Sequence, residues 1–308
     1  MEWKGVMPAI TTCFDRNLQV DLPFTADHCA WLVDNGCTGI VPLGSLGEGA
    51  TLAFDEKLAV VKACVQAVGK RVPVVAAISS LSTREAVDLA KALADLGCQG
   101  LMVLPPYVYL GDWRETKAHV SAVLRASSLP CMLYNNPVAY GTDFLPQYVQ
   151  ELAQEHENLE AVKESSTDAR RITSIRALLD DRLALFVGVD DEIVEGVGVG
   201  AIGWIAGLAN ALPRESVALF DLARKDPAKA FELYRWFLPL LRMDTVPKFV
   251  QLIKLVQQEA GMGSTRVRPP RLELAGEELE SAQALIRKVL SKRPEYCRTP
   301  TRQVTYAR

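Results

Sequence analysis

The sequence has little histidine and no pattern of residues that would hold a metal ion. Its three histidines, at positions 28, 119 and 156, are too far apart for an HxH or HxxxH motif, the spacings that bring two imidazoles to one metal. Its seven cysteines include no CxxC pair. Most of the cysteines lie in apolar segments, so we expect reduced, buried thiols in a cytoplasmic protein without a metal site.

An excess of basic charge and a long apolar run are also missing. The 34 lysines and arginines against 37 aspartates and glutamates give a formal charge of −3, which argues against nucleic acid as the main partner. No apolar run reaches the roughly 18 residues that a membrane span requires. The N-terminus lacks a basic segment followed by an apolar one, so we expect no secretory signal and no membrane partner.

What the sequence does contain is a series of short apolar runs that alternate with helix-like segments. In the segment 83–96, for example, apolar residues recur with a period near 3.6, and Thr83 is expected to cap the helix. Apolar runs without polar alternation are typical of parallel strands buried on both faces. The runs cover residues 5–14, 39–43, 72–78, 100–104, 130–134, 159–163, 183–187 and 200–206.

These repeated units predict an α/β fold whose strands close into a (β/α)8 TIM barrel. The alternative is an open doubly wound sheet, which usually carries a GxGxxG turn after its first strand, and none follows Phe14. After Ala223 the pattern changes to three helices, at 227–241, 246–261 and 276–290. We therefore predict a barrel over residues 1–223 and a three-helix C-terminal extension over 224–293. A polar tail over 294–308 should be poorly ordered or lie on the surface.

The reactive side chains of such a barrel gather where its strands end. Lys163 closes the sixth run, where an apolar strand gives way to the polar segment Glu164-Ser165-Ser166. Burial disfavours a charged ammonium group, and a neutral amine is a nucleophile toward carbonyls and imines. Lys163 is therefore a candidate nucleophile. The alternative is a lysine that extends to solvent at the rim of the barrel.

Other strand ends carry further candidates. Tyr134 closes the fifth run, where its phenol could relay a proton or bond to the backbone of the core. Ser45 follows the second run in the loop Gly44-Ser45-Leu46-Gly47-Glu48. The flanking glycines would let the loop amides and the Ser45 hydroxyl face an anion such as a carboxylate. Gly188 and Ile205, at the seventh and eighth runs, either line a pocket or only turn the chain.

Four motifs of the sequence lie at or near the ends of predicted strands. They are Gly44-Ser45-Leu46-Gly47-Glu48, Tyr134-Asn135-Asn136-Pro137, Val162-Lys163-Glu164-Ser165-Ser166 and Gly200-Ala201-Ile202-Gly203-Trp204-Ile205. These motifs resemble the GTTGE or GSTGE, YNxP, (I/V)KE(A/S)S and GxxGxIS segments of the dihydrodipicolinate synthase / N-acetylneuraminate lyase superfamily, in the same order and with matching separations. The resemblance covers nearly the whole chain, from about Gly5 to Leu290.

The resemblance implies an enzyme with a (β/α)8 barrel and a helical extension, usually a homotetramer, without a metal or organic cofactor. In the family, the lysine that matches Lys163 forms a Schiff base with a 2-oxo acid, and the tyrosine that matches Tyr134 relays protons. The loop holds the carboxylate of the substrate, here through Ser45 and the amide of Leu46. The expected partner is a small 2-oxo acid or a cyclic imino acid.

Departures from the family pattern narrow the expected function. Dihydrodipicolinate synthases carry an arginine two residues beyond the YNxP proline, where this chain has Ala139. Leu46 replaces a second threonine of the loop. Val108 replaces a tyrosine, so a proton relay to a neighbouring subunit through this position is not expected. A wall of Leu46, Val108, Ala139 and Ile205 would suit a small ligand, and a role in lysine biosynthesis is not expected.

Several stretches are most similar to the hydroxyproline-degrading branch, the Δ¹-pyrroline-4-hydroxy-2-carboxylate deaminases. This resemblance predicts a lyase that converts that cyclic imine to 2-oxoglutarate semialdehyde and ammonia. The stretches are residues 43–48, 134–141, 163–173 and 267–272.

The sequence leaves several functions other than the deaminase open. One is an aldolase for 4-hydroxy-2-oxoglutarate or a 2-keto-3-deoxy sugar acid, another is a sugar-acid dehydratase, and a third is a dihydrodipicolinate synthase-like protein. A non-enzyme alternative is a catalytically silent barrel that binds a 2-oxo acid. Lys163 and Tyr134 together argue against this last alternative, because a silent relative could lose either residue without harm to binding.

Overall fold

A computed structural model describes residues 1–295 of the chain, and the strands within it form one curled parallel sheet. The sheet has seven strands in the order β1-β7-β6-β5-β4-β3-β2. The strands are β1 (Gly5–Pro8), β2 (Val75–Ile78), β3 (Gly100–Val103), β4 (Cys131–Asn135), β5 (Leu159–Glu164), β6 (Ala184–Val187) and β7 (Gly203–Ala206).

The predicted strand at 39–43 closes this sheet into a barrel through single bridges. Val41 pairs with Ala9 beyond β1, and Ile40 pairs with Val74 before β2. The Val41 amide donates to the Pro8 carbonyl at 2.9 Å, and the Val75 amide donates to the Ile40 carbonyl at 2.9 Å. The eighth position of the barrel is thus occupied, and the predicted (β/α)8 TIM barrel is confirmed.

Helices cover the outside of the barrel and form the C-terminal part of the described chain. Trp236 of α10 donates its indole N–H to the carbonyl of Val289 in α12, at 3.0 Å. Arg287 of α12 bonds to Glu259 of α11, so the last three helices pack on one another. The helices are α1 (Leu22–Asp34), α2 (Phe54–Val68), α3 (Thr83–Asp95), α4 (Trp113–Arg125), α5 (Pro137–Tyr140), α6 (Pro146–Glu155), α7 (Arg170–Leu179), α8 (Ile193–Gly198), α9 (Pro213–Lys225), α10 (Pro227–Leu241), α11 (Phe249–Glu259) and α12 (Gly276–Ser291).

One detail differs from the sequence predictions. The cap of α3 is Ser82, whose hydroxyl accepts from the Glu85 amide, and not Thr83. The Thr83 hydroxyl instead bonds to His119. Most of the predicted tail, residues 296–308, lies outside the described residues, and the domain boundaries stay predictions. Six cysteines are buried and unpaired, as expected, whereas Cys297 lies outside the described residues.

Candidate active site

Lys163 and Tyr134 stand side by side where β5 and β4 end. They are register partners in the sheet, and the Lys163 Nζ lies 3.8 Å from the centre of the Tyr134 ring. Only 6% of Lys163 and 5% of Tyr134 is exposed. Successive side chains of a strand point to opposite faces. Lys163 accordingly borders the pocket inside the barrel, whereas its neighbour Glu164 bonds to Asn135.

Gly188 makes room for the lysine. A methyl group at this position would stand 2.5 Å from the Lys163 Cε and would overlap the Ser165 hydroxyl. A glycine is therefore needed where this backbone approaches the lysine side chain. The Ser165 hydroxyl is itself buried, borders the pocket and has no hydrogen-bond partner in residues 1–295, so it is available to a ligand.

A cluster of hydroxyl groups lies on another part of the same pocket. The Ser45 Oγ and the Tyr140 hydroxyl are hydrogen-bonded to each other. The Tyr140 ring contacts Tyr134 edge-on, at 5.7 Å between ring centres, and lies 5.5 Å from the Tyr107 ring. The Asn136 amide donates to the Tyr134 hydroxyl at 3.0 Å. Tyr140 and Asn136 were not among the candidates from the sequence.

The candidate residues from the sequence converge on one pocket of about 450 Å³, a volume typical of sites for small organic molecules. Val108 does not. It is 85% exposed and does not border the pocket of its own chain, so its place in a pocket wall stays a prediction. It has a positive φ of 74° in a loop on the surface. The candidates that border the pocket are Ser45, Leu46, Tyr134, Ala139, Lys163, Gly188 and Ile205.

A carboxyl group from beyond the barrel also borders the pocket. Asp244 follows α10, and its side chain packs against Gly207, where an added methyl group would also stand 3.3 Å from the Asp190 Oδ2. Burial and the neighbouring Asp190 raise the pKa of Asp244 well above its usual range. Burial also raises the pKa of Asp190 to about 6, although the Gly207 and Leu208 amides donate to it at 2.9 and 2.6 Å.

Arg271 adds a positive charge to the pocket. The carboxylate nearest to it in the described ion pairs is Glu48, at 3.8 Å. Glu48 is already bonded to the Lys254 ammonium at 2.6 Å and to the Arg268 amide at 3.0 Å. The Arg271 guanidinium therefore has only a distant counter-charge in these ion pairs and could bind an anion in the pocket.

Glu48, the last residue of the predicted substrate loop, does not border the pocket. It has a positive φ of 53° and is 1% exposed. Its carboxylate faces Lys254 of α11 and the segment before α12. The loop thus presents Ser45 to the pocket while Glu48 fastens it to the C-terminal helices.

In residues 1–295, no group of three or more His, Cys, Asp or Glu side chains is arranged to hold a metal ion. No helix in this part of the chain is long and apolar enough to cross a membrane.

Comparison with known proteins gives one consistent result. The profile of the dihydrodipicolinate synthetase family matches residues 2–289. The 4-hydroxy-tetrahydrodipicolinate synthase of Agrobacterium fabrum is 32% identical over 281 residues, which are 91% of this chain and 96% of that protein. The Methanocaldococcus jannaschii synthase is 29% identical over 276 residues, 89% of this chain and 94% of that one.

Solved structures agree. The crystal structure of YagE, a prophage protein of the dihydrodipicolinic acid synthase family from E. coli K12 in complex with pyruvate, superposes with a TM-score of 0.88. It is 27% identical, with 94% of this chain and 98% of that chain covered.

The curled parallel sheet with its surrounding helices is the fold of these solved relatives, and the family is one of lyases of the Schiff-base aldolase superfamily. The chain belongs to the dihydrodipicolinate synthetase family. Members of the family bind small substrates such as pyruvate and are typically oligomeric. The curated relatives named above are synthases, and the deaminase assignment stays a prediction.

Proposed function

We propose that the chain is a Schiff-base deaminase that converts Δ¹-pyrroline-4-hydroxy-2-carboxylate to 2-oxoglutarate semialdehyde and ammonia. The observation that carries the proposal is the placement of the Lys163 amine in a pocket bordered by Tyr134 and Ser45. In residues 1–295 this amine makes no direct ion pair or hydrogen bond, although its charge interacts with the buried Asp190 and Asp244. It is therefore free to attack an electrophilic carbon.

The proposed reaction starts with Lys163 Nζ adding to C2 of the cyclic imine while Ser45 holds the carboxylate. The ring nitrogen leaves C2 as an amine, which opens the ring. The resulting protonated Schiff base draws electrons from C3, so a C3 proton is lost and the 4-hydroxyl leaves as water. Tautomerisation and hydrolysis at both ends release the product, free Lys163 and ammonia, with a net uptake of one water. Tyr134 moves protons at the opening and elimination steps.

A second candidate is an aldolase that cleaves 4-hydroxy-2-oxoglutarate to pyruvate and glyoxylate. Arg271 favours it, because this substrate has a second carboxylate and Arg271 supplies a loosely held cation in the pocket. The deaminase substrate has a single carboxylate, which Ser45 would hold.

The test is a substrate panel on the purified protein, read by the products. The deaminase should release ammonia and the semialdehyde in equal amounts from the cyclic imine. Release of pyruvate and glyoxylate from 4-hydroxy-2-oxoglutarate, without ammonia from the imine, would contradict the deaminase and favour the aldolase. Condensation of pyruvate with aspartate semialdehyde should be negligible. Ala139 offers no charge-assisted hydrogen bond, worth about 1.5–3 kcal/mol or roughly ten- to a hundredfold in affinity.

We also propose that the protein is a homotetramer, and that a second copy of the chain covers an apolar surface beside the pocket. Val108, Leu110 and Val138 are 85%, 62% and 74% exposed. The two loops that carry them are in contact, because a methyl group on Gly141 would stand 2.9 Å from the Leu110 side chain. Contiguous exposed apolar patches of this kind mark association surfaces. Leu110→Glu should lower the oligomer mass in sedimentation, and an unchanged mass would contradict this surface.

A further inference from the structure

Tyr140 is held at the pocket by a short helix that the sequence encodes locally. The Asn136 side chain accepts from the Ala139 amide at 2.9 Å and so caps α5. Gly141, with a positive φ of 71°, ends that helix. The same Asn136 side chain donates to the Tyr134 hydroxyl. One residue therefore orients both the strand-end phenol and the helix that carries Tyr140.

The Tyr140 hydroxyl belongs to a cluster of hydroxyl groups at the pocket. It is hydrogen-bonded to Ser45, and its ring lies 5.5 Å from the ring of Tyr107, which also borders the pocket. Burial and the neighbouring Tyr134 raise the pKa of Tyr140 well above its usual range, and burial raises the pKa of Tyr107 as well. Both phenols therefore stay protonated at neutral pH. A neutral hydroxyl can donate one proton while it accepts another.

We propose that Tyr140 transfers protons between Ser45 and Tyr107, so that a complete proton path to solvent is built within one chain. The inference rests on the Schiff base proposed at Lys163, whose enamine must lose and regain protons at C3. As Ser45 gives its proton to a basic atom in the pocket, it takes the proton of Tyr140. Tyr140 takes that of Tyr107, and Tyr107 takes one from water. Each hydroxyl ends as it began, and the reverse sequence removes a proton.

The position next to Tyr107 cannot perform this transfer. Val108 has no hydroxyl, is 85% exposed and does not border the pocket of its own chain. Tyr140 instead reaches the pocket from α5, three residues after the Pro137 of the YNxP motif. The hydroxyl is thus supplied by a different loop of the same chain.

The test uses pyruvate, which forms the Schiff base without the proposed deaminase substrate. Exchange of its C3 protons in D₂O is followed by proton NMR over a range of pyruvate concentrations. Tyr140→Phe should lower the exchange rate at saturation by roughly 10²-fold, within the usual scale of general acid–base catalysis, with little change in the half-saturating concentration. Tyr107→Phe should lower the saturated rate as well. Tyr109→Phe is the matched control, because its hydroxyl donates to Glu115 at 3.1 Å and does not border the pocket.

Borohydride trapping of the pyruvate adduct on each variant separates the possible failures. The proposal expects full trapping in all variants. A Tyr140→Phe protein with wild-type exchange at saturation overturns it. So does one whose half-saturating concentration rises while the saturated rate is kept, because Tyr140 would then only position Ser45. If wild-type protein forms no adduct on Lys163, the Schiff base fails, and the proposed function fails with it.

Discussion

Two buried lysines of this molecule, Lys163 and Lys254, have different surroundings. The Lys254 Nζ lies 4.6 Å from the centre of the Phe14 ring and donates to the Glu48 carboxylate and the Arg266 carbonyl, each at 2.6 Å. The Lys163 Nζ lies 3.8 Å from an aromatic ring too. In residues 1–295, however, it has no carboxylate or carbonyl to accept from it. Two lysines that are buried to a similar degree therefore differ in role: Lys254 is held in an ion pair, whereas the amine of Lys163 is left unbonded.

The difference follows from the cost of burying a charge. An isolated ammonium in an apolar interior is strongly destabilised unless an opposite charge and hydrogen bonds compensate. Burial lowers the pKa of Lys254, and the Glu48 carboxylate opposes that change. The Glu48–Lys254 pair joins the substrate loop to α11 across 206 positions of sequence. Lys163 has no such direct ion pair or hydrogen bond in residues 1–295, although its charge interacts with the buried Asp190 and Asp244. Its amine is therefore available for chemistry.

The largest expected effect is on activity, from Lys163→Met. Loss of the nucleophile should lower turnover on the order of 10⁴-fold or more. The free energy of unfolding should change little. Lys163 makes no direct ion pair or hydrogen bond in residues 1–295, and the cost of burying its charge offsets the attraction of Asp190 and Asp244. Peptide mapping after pyruvate and borohydride should find the adduct on Lys163 in the wild type and no adduct in the variant. An adduct on Lys254 would reverse the roles assigned to the two lysines.

Lys254→Met should have the opposite profile. It leaves the Glu48 carboxylate, which is 1% exposed, without its buried counter-charge. Breaking one partner of a buried ion pair costs about 3–5 kcal/mol, and we expect the lower end because Arg271 lies 3.8 Å from Glu48. Thermal or denaturant unfolding measures the loss, and Lys163 should still trap pyruvate in the folded variant.

A second substitution distinguishes the ion pair from simple packing. Glu48→Gln, added to Lys254→Met, removes the orphaned charge but keeps an acceptor for the Arg268 amide. Part of the lost stability should return, with a coupling energy of roughly 1–3 kcal/mol. If the double variant is less stable than Lys254→Met by the full cost of Glu48→Gln alone, the two residues are not coupled.

The sequence was a good guide to the residues that approach the pocket along the strands. Lys163, Tyr134 and Ser45 each follow or end an apolar run, and the ends of parallel strands meet at one face of a barrel. Their convergence could be predicted without distances. Val108 lies in the loop after β3, is exposed and does not border the pocket of its own chain.

Two of the residues that were missed, Lys254 and Asp244, have no local signal of their role. Lys254 lies in an ordinary amphipathic helix, and its partner Glu48 is 206 residues away. Asp244 borders the pocket only because of the way the C-terminal helices pack. The helix that carries Tyr140 could have been predicted from the sequence, since Asn136 followed by Pro137 is a helix-start signal. The Ser82 cap could also have been predicted, because Glu85 follows Ser82 at the spacing of a capping box.

His28 is a third buried base, and the pH dependence of stability tests whether burial disfavours its charged form. His28 bonds to the Asn210 carbonyl at 3.0 Å, and burial lowers its pKa from 6.5 to about 4. Between pH 6.5 and 4, His28 therefore binds a proton in the unfolded chain but not in the folded chain. The stabilisation is complete above pH 6.5 and is lost as the pH falls toward 4. Between pH 7.5 and 5 the loss is about 2 kcal/mol, at about 1.4 kcal/mol for each pKa unit.

The check on His28 compares melting midpoints of the wild type and His28→Gln over this pH range. Gln can still donate to the Asn210 carbonyl but does not titrate. The variant should lose less stability than the wild type as the pH falls. Parallel curves would show that His28 binds its proton as readily in the folded chain as in the unfolded one, and that burial does not lower its pKa.

The smallest expected effect comes from Lys248→Met, the surface counterpart of Lys254→Met. Lys248 lies six residues earlier, and its ammonium is 2.5 Å from Glu278, about as close as Lys254 is to Glu48. Its side chain is 52% exposed and that of Glu278 is 48% exposed. Water and salt screen such a pair, which contributes about 0–1 kcal/mol. The unfolding free energy should therefore change by less than about 1 kcal/mol. A loss as large as that of Lys254→Met would mean that contact distance, and not burial, sets the strength of these ion pairs.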